Sequence, residues 1–177
     1  MANVLITGAN RGIGLALAQQ YVAAGNKVIA CVRDTEGATE LNAMADVTVE
    51  QMDVGDPASI TAAAERIGAQ PIDVLINNAG IGSLGSVEDE DYGMFQKVMQ
   101  VDVDSIFLGC KYAIPLMRDH GLGSIVNISS IAGIVASGNY VSYNTAKAAV
   151  RHMSKSIALH CAKTGGQIRC NSVHPVF

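Results

Sequence analysis

The sequence predicts a doubly wound α/β domain, in which six parallel strands form one sheet with helices on both faces. Short apolar runs alternate along the chain with longer segments that carry apolar residues at helical spacing. Strands that alternate with helices pair in parallel, because each helix carries the chain back across a face of the sheet. One domain is expected, since 177 residues leave no room for a second core beside a domain of roughly 100 to 150 residues.

The first half of the chain predicts four strands with three helices between them. Val4 to Ile6 is an apolar run, and the apolar residues after it recur at helical spacing until Gly25 ends the helix. Asp56 and Pro57 are typical of a helix N-terminus. In chain order, the expected elements are strand 4–6, helix 13–22, strand 27–32, helix 36–45, strand 47–52, helix 56–68 and strand 72–76.

The second half predicts two long helices and two strands. A helical pattern runs from Asp89 to Arg118, and Pro115 predicts that this helix is bent or broken near its end. The remaining expected elements are strand 124–128, helix 140–163 and strand 167–173. Phe177 follows the sixth strand almost at once, so no closing helix is expected to cover that strand.

Composition and charge exclude several classes of protein. Hydrophobic residues make up 49% of the chain and charged residues 16%, which favours a buried core. The net charge is -4 with no basic run, which argues against nucleic-acid binding. No apolar stretch approaches the roughly 20 residues of a membrane span, and the start of the chain does not resemble a secretory signal. We therefore expect a cytoplasmic protein that binds no membrane.

The four cysteines and four histidines do not form a metal-ligand pattern. The cysteines are far apart and include no C-x-x-C pair, so they are interpreted as buried thiols. The sequence therefore predicts no metal site.

A glycine-rich turn lies between the first strand and the first helix. Its residues, Thr7 to Gly14, follow the spacing T-G-x-x-x-G-x-G. Close backbone approach and a helix N-terminus suit a pyrophosphate there, although a tight turn that packs a helix gives the same pattern. Asn77, Asn78 and Gly80 follow the fourth strand, where the two amides can line an adenosine or ribose site.

These two motifs, together with Ser130 and the Tyr143-x-x-x-Lys147 spacing, resemble the short-chain dehydrogenase/reductase family over nearly the whole chain. The resemblance implies a Rossmann-like domain that binds a nicotinamide dinucleotide and interconverts a carbonyl compound and an alcohol. By resemblance, the cofactor-binding positions are Gly8, Asn10, Arg11, Gly12, Ile13, Gly14, Arg33, Asp53, Val54, Asn78, Ala79, Gly80, Tyr143 and Lys147.

The choice between NAD and NADP is expected to depend on the end of the second strand. An acidic residue there binds the ribose hydroxyls, whereas an arginine accepts the extra phosphate. Val32 occupies the acidic position, and Arg33 and Arg11 supply cations, as in NADP-preferring carbonyl reductases. The alternative is that Arg33 pairs with Asp34 or Glu36 at the surface. We expect NADP, with NAD possible.

Three residues are expected to carry out the chemistry, and a fourth departs from the family pattern. Tyr143 and Lys147 lie one helical turn apart, and a nearby ammonium favours the ionised form of a phenol, so Tyr143 is the expected proton carrier. Ser130 is expected to orient the substrate oxygen, and family spacing excludes Ser129. Asp102 stands where the family usually has an asparagine that bends the helix and holds a water through its carbonyl. An aspartate can keep that carbonyl role in catalysis, although its charge near Lys147 can also weaken the proton relay.

The end of the chain also departs from the family, which usually shows Asn-x-x-x-Pro-Gly here and then a substrate segment. Asn171 and Pro175 are present, but Val176 replaces the glycine. We therefore expect one dinucleotide-binding domain over residues 1–177 that lacks the usual carboxyl-terminal substrate segment.

A catalytically weak, cofactor-binding remnant with a structural or sensing role is the alternative to an active reductase. An epimerase or dehydratase is a less favoured alternative, because those relatives need a larger substrate domain.

The two long helices are expected to pair between subunits, as they do in the family, and to form a homodimer. The candidate interface residues are Ile106, Phe107, Cys110, Ala113, Ile114 and Met117 on the first helix and Ala148, Met153 and Ile157 on the second.

Overall fold

Six strands form a single parallel sheet in the computed structural model, which describes residues 1–176. The strands are β1 (Asn3–Thr7), β2 (Lys27–Val32), β3 (Val47–Gln51), β4 (Val74–Asn77), β5 (Leu122–Ile128) and β6 (Gln167–Val173). Their order across the sheet is β3-β2-β1-β4-β5-β6. The predicted doubly wound sheet is confirmed. Phe177, the last residue of the predicted domain, lies outside the described residues.

Within the described part of the chain, six α-helices connect these strands. They are α1 (Gly12–Ala23), α2 (Thr39–Asn42), α3 (Pro57–Ile67), α4 (Tyr92–Met99), α5 (Ser105–Asp119) and α6 (Val141–Thr164). The Asp56 carboxylate accepts a hydrogen bond from the Ala58 amide at 3.0 Å and caps α3, as the Asp-Pro pair predicts. Within residues 1–176, no helix combines the length and the apolar character that crossing a membrane requires.

The core lies on both faces of the sheet, because successive side chains of a strand point to opposite sides. Leu5 packs with residues of α3 and α5 on one face. Its neighbours Val4 and Ile6 pack with residues of α1 and α2 on the other face. Helices therefore cover both faces, as the alternation of strands and helices predicts.

The strand order reverses between β1 and β4. From β1 the chain builds outward through β2 to β3, and it then returns to add β4 on the other side of β1. The helices that follow β1 and β4 in the chain, α1 and α5, consequently pack on opposite faces of the sheet. In open α/β sheets, a crevice for ligands forms at this point.

Several predicted element boundaries are wrong: the fifth strand begins at Leu122 and not at Ser124, and the long second-half helix begins at Tyr92 and not at Asp89. The helix expected over residues 36–45 is limited to α2. It starts late because the Asp34 carboxylate accepts the amides of Glu36 and Gly37 at 3.1 and 3.0 Å and bends the chain into a turn. The fourth strand begins at Val74 and not at Ile72. Asp73 just before it accepts the Asn3 amide at 2.7 Å through its side chain.

The long second-half helix is interrupted, but not at the predicted position. Pro115 lies inside α5, and the helix continues past it to Asp119. The irregular turn lies earlier, at Gln100–Asp104, which forms a π-helical turn between α4 and α5. Such turns are frequent at functional sites. This one contains Asp102, where the resemblance implies a bend.

Candidate active site

A large cleft opens at the carboxyl edge of the sheet, at the point where the strand order reverses. Its volume is about 1080 Å³. Most of the predicted cofactor residues line it: Gly8, Asn10, Arg11, Gly12, Ile13, Arg33, Asp53, Val54, Asn78, Ala79 and Gly80. These residues follow four different strands, and parallel strands end at the same edge, which explains why the sheet brings them together.

The glycines of the turn after β1 have different roles. Gly8 has a φ of +64°, and a Cβ on it would lie 2.9 Å from the Cα of Ala79, so the turn and the loop after β4 touch through backbone. Gly12 has a φ of +54° with open space above it. Gly14 lies beneath the turn, where a Cβ would collide with the Gly8 carbonyl. The turn is therefore open to the cleft over Gly12, and Gly14 supports it from below.

Asn78 ties the loops after β1 and β4 together. Its Nδ2 donates to the carbonyls of Thr7 at 3.0 Å and Gly8 at 3.1 Å. In return, the Thr7 hydroxyl oxygen accepts the amides of Asn78 at 3.0 Å and Ala79 at 3.1 Å. These bonds fix the floor of the cleft before any ligand arrives.

Asn77 does not line the cleft, so its predicted part in a ribose site is wrong. Its side chain is buried and donates to the side-chain oxygen Oδ1 of Asn127 at 2.8 Å. Asn127 in turn donates to the Ser154 hydroxyl at 2.9 Å. The side chain therefore belongs to a buried polar network that joins the sheet to α6.

Arg33 is exposed at the outer end of the cleft, and within residues 1–176 it forms no ion pair. The alternative, in which it pairs with Asp34 or Glu36, is not what the structure shows. Asp34 instead accepts main-chain amides, as described above. Arg11 is likewise exposed and lines the same cleft. Two guanidinium groups are therefore available to a phosphate.

A second cavity, of about 540 Å³, adjoins the cleft and contains the predicted catalytic residues Ser130, Tyr143 and Lys147. Five residues line both cavities: Ile13, Asn78, Gly80, Ile81 and Gly82. Ser130 follows β5 and Tyr143 lies in the first turn of α6. A molecule in the second cavity therefore lies next to a ligand of the cleft.

The two neighbouring serines have distinct environments. The Ser129 hydroxyl is buried and donates to the Lys147 carbonyl at 2.8 Å, which holds α6 against β5. The Ser130 hydroxyl oxygen accepts the Ala132 amide at 3.1 Å, which leaves its own proton available to donate. This difference supports Ser130, and not Ser129, as the residue that contacts a substrate.

Lys147 and Asp102 form a buried ion pair between α6 and the π-helical turn. Lys147 Nζ lies 2.9 Å from Asp102 Oδ2, and the two side chains are 5% and 0% exposed. Nζ also donates to the Ile128 carbonyl at 3.2 Å and lies 5.4 Å from the centre of the Tyr143 ring. The aspartate that stands where the resemblance implies an asparagine thus contacts the predicted catalytic lysine directly.

Asp102 also anchors the loop that separates the two cavities. Its Oδ1 accepts the Ile81 amide at 2.7 Å. A Cβ on Gly80 would lie 3.0 Å from Asp102 Oδ2 and 3.2 Å from Lys147 Nζ, so glycine allows this close packing. Burial raises the pKa of Asp102, and the Lys147 ammonium and the Ile81 amide oppose that shift.

Sequence reasoning missed one wall of the cleft. Residues of α4 and the π-helical turn line it, namely Gly93, Met94, Gln96, Lys97, Gln100 and Val101. Their helical pattern predicts an element but not which of its faces meets a ligand.

Cys31 also lines the cleft, and burial raises its pKa to about 12. It is therefore a thiol at neutral pH and no nucleophile.

The fold and the adjoining cavities are typical of an α/β domain that binds a ligand where the strand order reverses. The family model for short chain dehydrogenases matches residues 2–177. The chain is 41% identical to 2-(R)-hydroxypropyl-CoM dehydrogenase of Xanthobacter autotrophicus, over 97% of its own length and 72% of that protein. It is 38% identical to the NADP-dependent (R)-specific alcohol dehydrogenase of Lentilactobacillus kefiri, over 98% of its length and 71% of that protein.

A solved short-chain dehydrogenase from Streptomyces avermitilis superposes with a TM-score of 0.92 at 32% identity, over 98% of this chain and 65% of that one. The chain belongs to the short-chain dehydrogenase family, whose members are NAD(P)-dependent oxidoreductases.

Proposed function

We propose that the chain transfers a hydride between NADP(H) and an uncharged carbonyl or alcohol substrate, with Tyr143 as the proton carrier. The observation that carries the proposal is the shared wall of the two cavities, which places Ser130, Tyr143 and Lys147 beside the dinucleotide cleft. Of the described residues that line the second cavity, Lys147 is the one with a charge, and Asp102 already pairs with it. That lining favours an uncharged substrate.

The residues of the second cavity divide the proton chemistry among them. When bound, NADPH supplies the hydride. The Tyr143 hydroxyl donates its proton to the substrate oxygen, and in the reverse direction it accepts that proton. Ser130 donates a hydrogen bond to the same oxygen and orients it. Lys147 places a positive charge near the Tyr143 ring, which stabilises the phenolate left after proton donation.

The test is NADPH oxidation with a panel of uncharged ketones, run beside cofactor binding measured by fluorescence. We expect oxidation that depends on the ketone. Tight NADPH binding without oxidation by any ketone would favour the second candidate, a catalytically weak cofactor-binding protein. One observation favours that candidate: a carboxylate 2.9 Å from Lys147 offsets the positive charge that the phenolate needs.

We expect NADP⁺ to bind more tightly than NAD⁺, and Arg33→Ala to remove most of the difference. A charge-assisted contact from arginine to phosphate contributes about 1.5 to 3 kcal/mol, which corresponds to a loss of about ten- to a hundredfold in NADP⁺ affinity. NAD⁺ affinity should change little. Isothermal titration of both cofactors measures this, with Arg151→Ala as the control, an exposed arginine of α6. A parent chain that prefers NAD⁺ would contradict the assignment.

We expect a homodimer that forms through α5 and α6. Ile106, Cys110, Ala113, Ile114 and Met117 are buried within the chain, so the interface depends on fewer residues than the sequence predicts. Phe107 remains 55% exposed beside a groove of about 440 Å³ between the two helices. Light scattering at micromolar concentration should give the dimer mass, and Phe107→Glu should shift it towards the monomer. A monodisperse monomer of the parent chain would contradict this expectation.

A further inference from the structure

The loop between β4 and α4 forms one rim of the second cavity. We call residues 81–90 the rim loop. Ile81, Gly82, Ser83 and Leu84 line the cavity together with Tyr140 and Tyr143. Farther along, Leu84 is 74% exposed and Val87 is 82% exposed, so apolar packing does little to hold the middle of the loop. Its position depends instead on polar contacts.

Two main-chain hydrogen bonds join the rim loop to the start of α6. The Gly85 amide donates to the Asn139 carbonyl at 2.9 Å, and the Val141 amide donates to the Gly85 carbonyl at 3.2 Å. Tyr143 lies two residues beyond Val141. The loop that borders the substrate cavity and the turn that carries the proton carrier are therefore directly connected.

Glu90 reinforces this connection from the end of the loop. Its Oε2 accepts hydrogen bonds from the hydroxyls of Ser83 at 2.7 Å and Ser142 at 2.6 Å. Ser142 is fully buried, directly before Tyr143. Gly85 also packs on Glu90, since a Cβ there would lie 3.1 Å from the Glu90 Cα. One carboxylate oxygen thus joins the cavity lining at Ser83 to the first turn of α6.

We propose that Glu90 is a positioning residue, which fixes the rim of the substrate cavity relative to Tyr143 and so determines how well a carbonyl substrate is held. The inference rests on the proposed function. Hydrogen bonds to an ionised carboxylate are roughly twice as strong as neutral ones. Loss of both would leave the middle of the rim loop joined to the start of α6 by two main-chain bonds alone. A rim that must be ordered when the substrate binds lowers the affinity for that substrate.

The experiment compares Glu90→Ala and Glu90→Gln with the parent chain. Glu90→Ala removes the acceptor of both serine hydroxyls, whereas Glu90→Gln keeps an amide oxygen that can accept them. Glu88→Ala is the control, because it removes a carboxylate from the same exposed loop without touching Ser83 or Ser142. Two readouts are collected: steady-state kinetics with a ketone and NADPH, and hydrogen exchange of the Gly85 and Val141 amides without ligand.

We expect Glu90→Ala to raise the KM for the ketone about tenfold and kcat to change less, with NADPH affinity within about twofold of the parent. The Gly85 and Val141 amides should exchange at least about tenfold faster. Glu90→Gln should keep KM and amide exchange close to those of the parent, and Glu88→Ala should change neither. Ser83→Ala removes only the bond on the rim side, so a smaller rise in KM is expected, and this variant keeps the test available if Glu90→Ala does not fold.

Three results would overturn the inference, and they are distinguishable from one another. Unchanged KM and unchanged exchange in Glu90→Ala, with an active parent, would show that Glu90 does not position the rim. A fall in NADPH affinity and thermal stability as large as the rise in KM would indicate a purely structural role. If the parent chain fails to oxidise NADPH in the presence of every ketone tested, the proposed function itself is overturned, and with it the positioning of a substrate.

Discussion

Replacing Tyr143 with phenylalanine is expected to lower turnover about a thousandfold, because the proton donor of the reaction is lost. NADPH affinity should stay within about threefold of the parent, since the hydroxyl moves a proton and contributes little to cofactor binding. Lys147 and Ser130 remain in place in this variant. Single-turnover kinetics with saturating NADPH and a ketone, together with fluorescence titration of the cofactor, measure the two effects separately.

Tyr140→Phe is the matched control for this variant. Tyr140 lines the same cavity and is 42% exposed, but it lies outside the Tyr-x-x-x-Lys spacing. We expect it to keep turnover within about threefold. Turnover that survives in Tyr143→Phe and is lost in Tyr140→Phe would assign the proton carrier to the other phenol.

Asp102→Ala is expected to lower the free energy of unfolding by about 3 to 5 kcal/mol, because it leaves the Lys147 ammonium buried without its partner. Asp102→Asn should lose less free energy of unfolding, since its one amide oxygen can still accept either from Lys147 Nζ or from the Ile81 amide, whereas alanine accepts from neither. It is also expected to keep cofactor binding and to raise turnover, because a neutral side chain no longer offsets the charge of Lys147. Urea denaturation and ketone-dependent NADPH oxidation measure these effects.

Equal loss of stability in the two Asp102 variants would show that the charge, and not the hydrogen-bonding oxygen, holds the π-helical turn. Lower turnover in Asp102→Asn would show that the carboxylate assists the proton relay. That result would contradict our interpretation of the ion pair.

The fold could be predicted because its signals are local. Each apolar strand and each helical repeat is visible within a short window, and alternation of the two permits one sheet architecture. The boundary errors have a different cause. Asp34 delays the start of the expected second helix by accepting two main-chain amides, and this turn competes with helix formation in a way that periodicity does not detect.

The candidate site could be predicted in part. Motifs that directly follow parallel strands meet at one edge of the sheet, which brought Gly8, Arg33, Asp53 and Asn78 into a single cleft. The sequence could not separate Asn77 from Asn78, because two adjacent amides point in opposite directions at the end of a strand. The contacts of Glu90 were not visible either, since Ser142 lies 52 residues away in the chain.

The central claim is that a hydride passes from NADPH to a carbonyl carbon beside Tyr143. The most direct measurement uses NADPH that carries deuterium at both C4 positions, with mass spectrometry and NMR of the alcohol formed from an accepted ketone. We predict one deuterium on the carbinol carbon for each NADPH oxidised by the parent chain, and almost none after the same time with Tyr143→Phe. NADPH that binds in the cleft but keeps its deuterium, with no labelled alcohol from any ketone, would contradict the account.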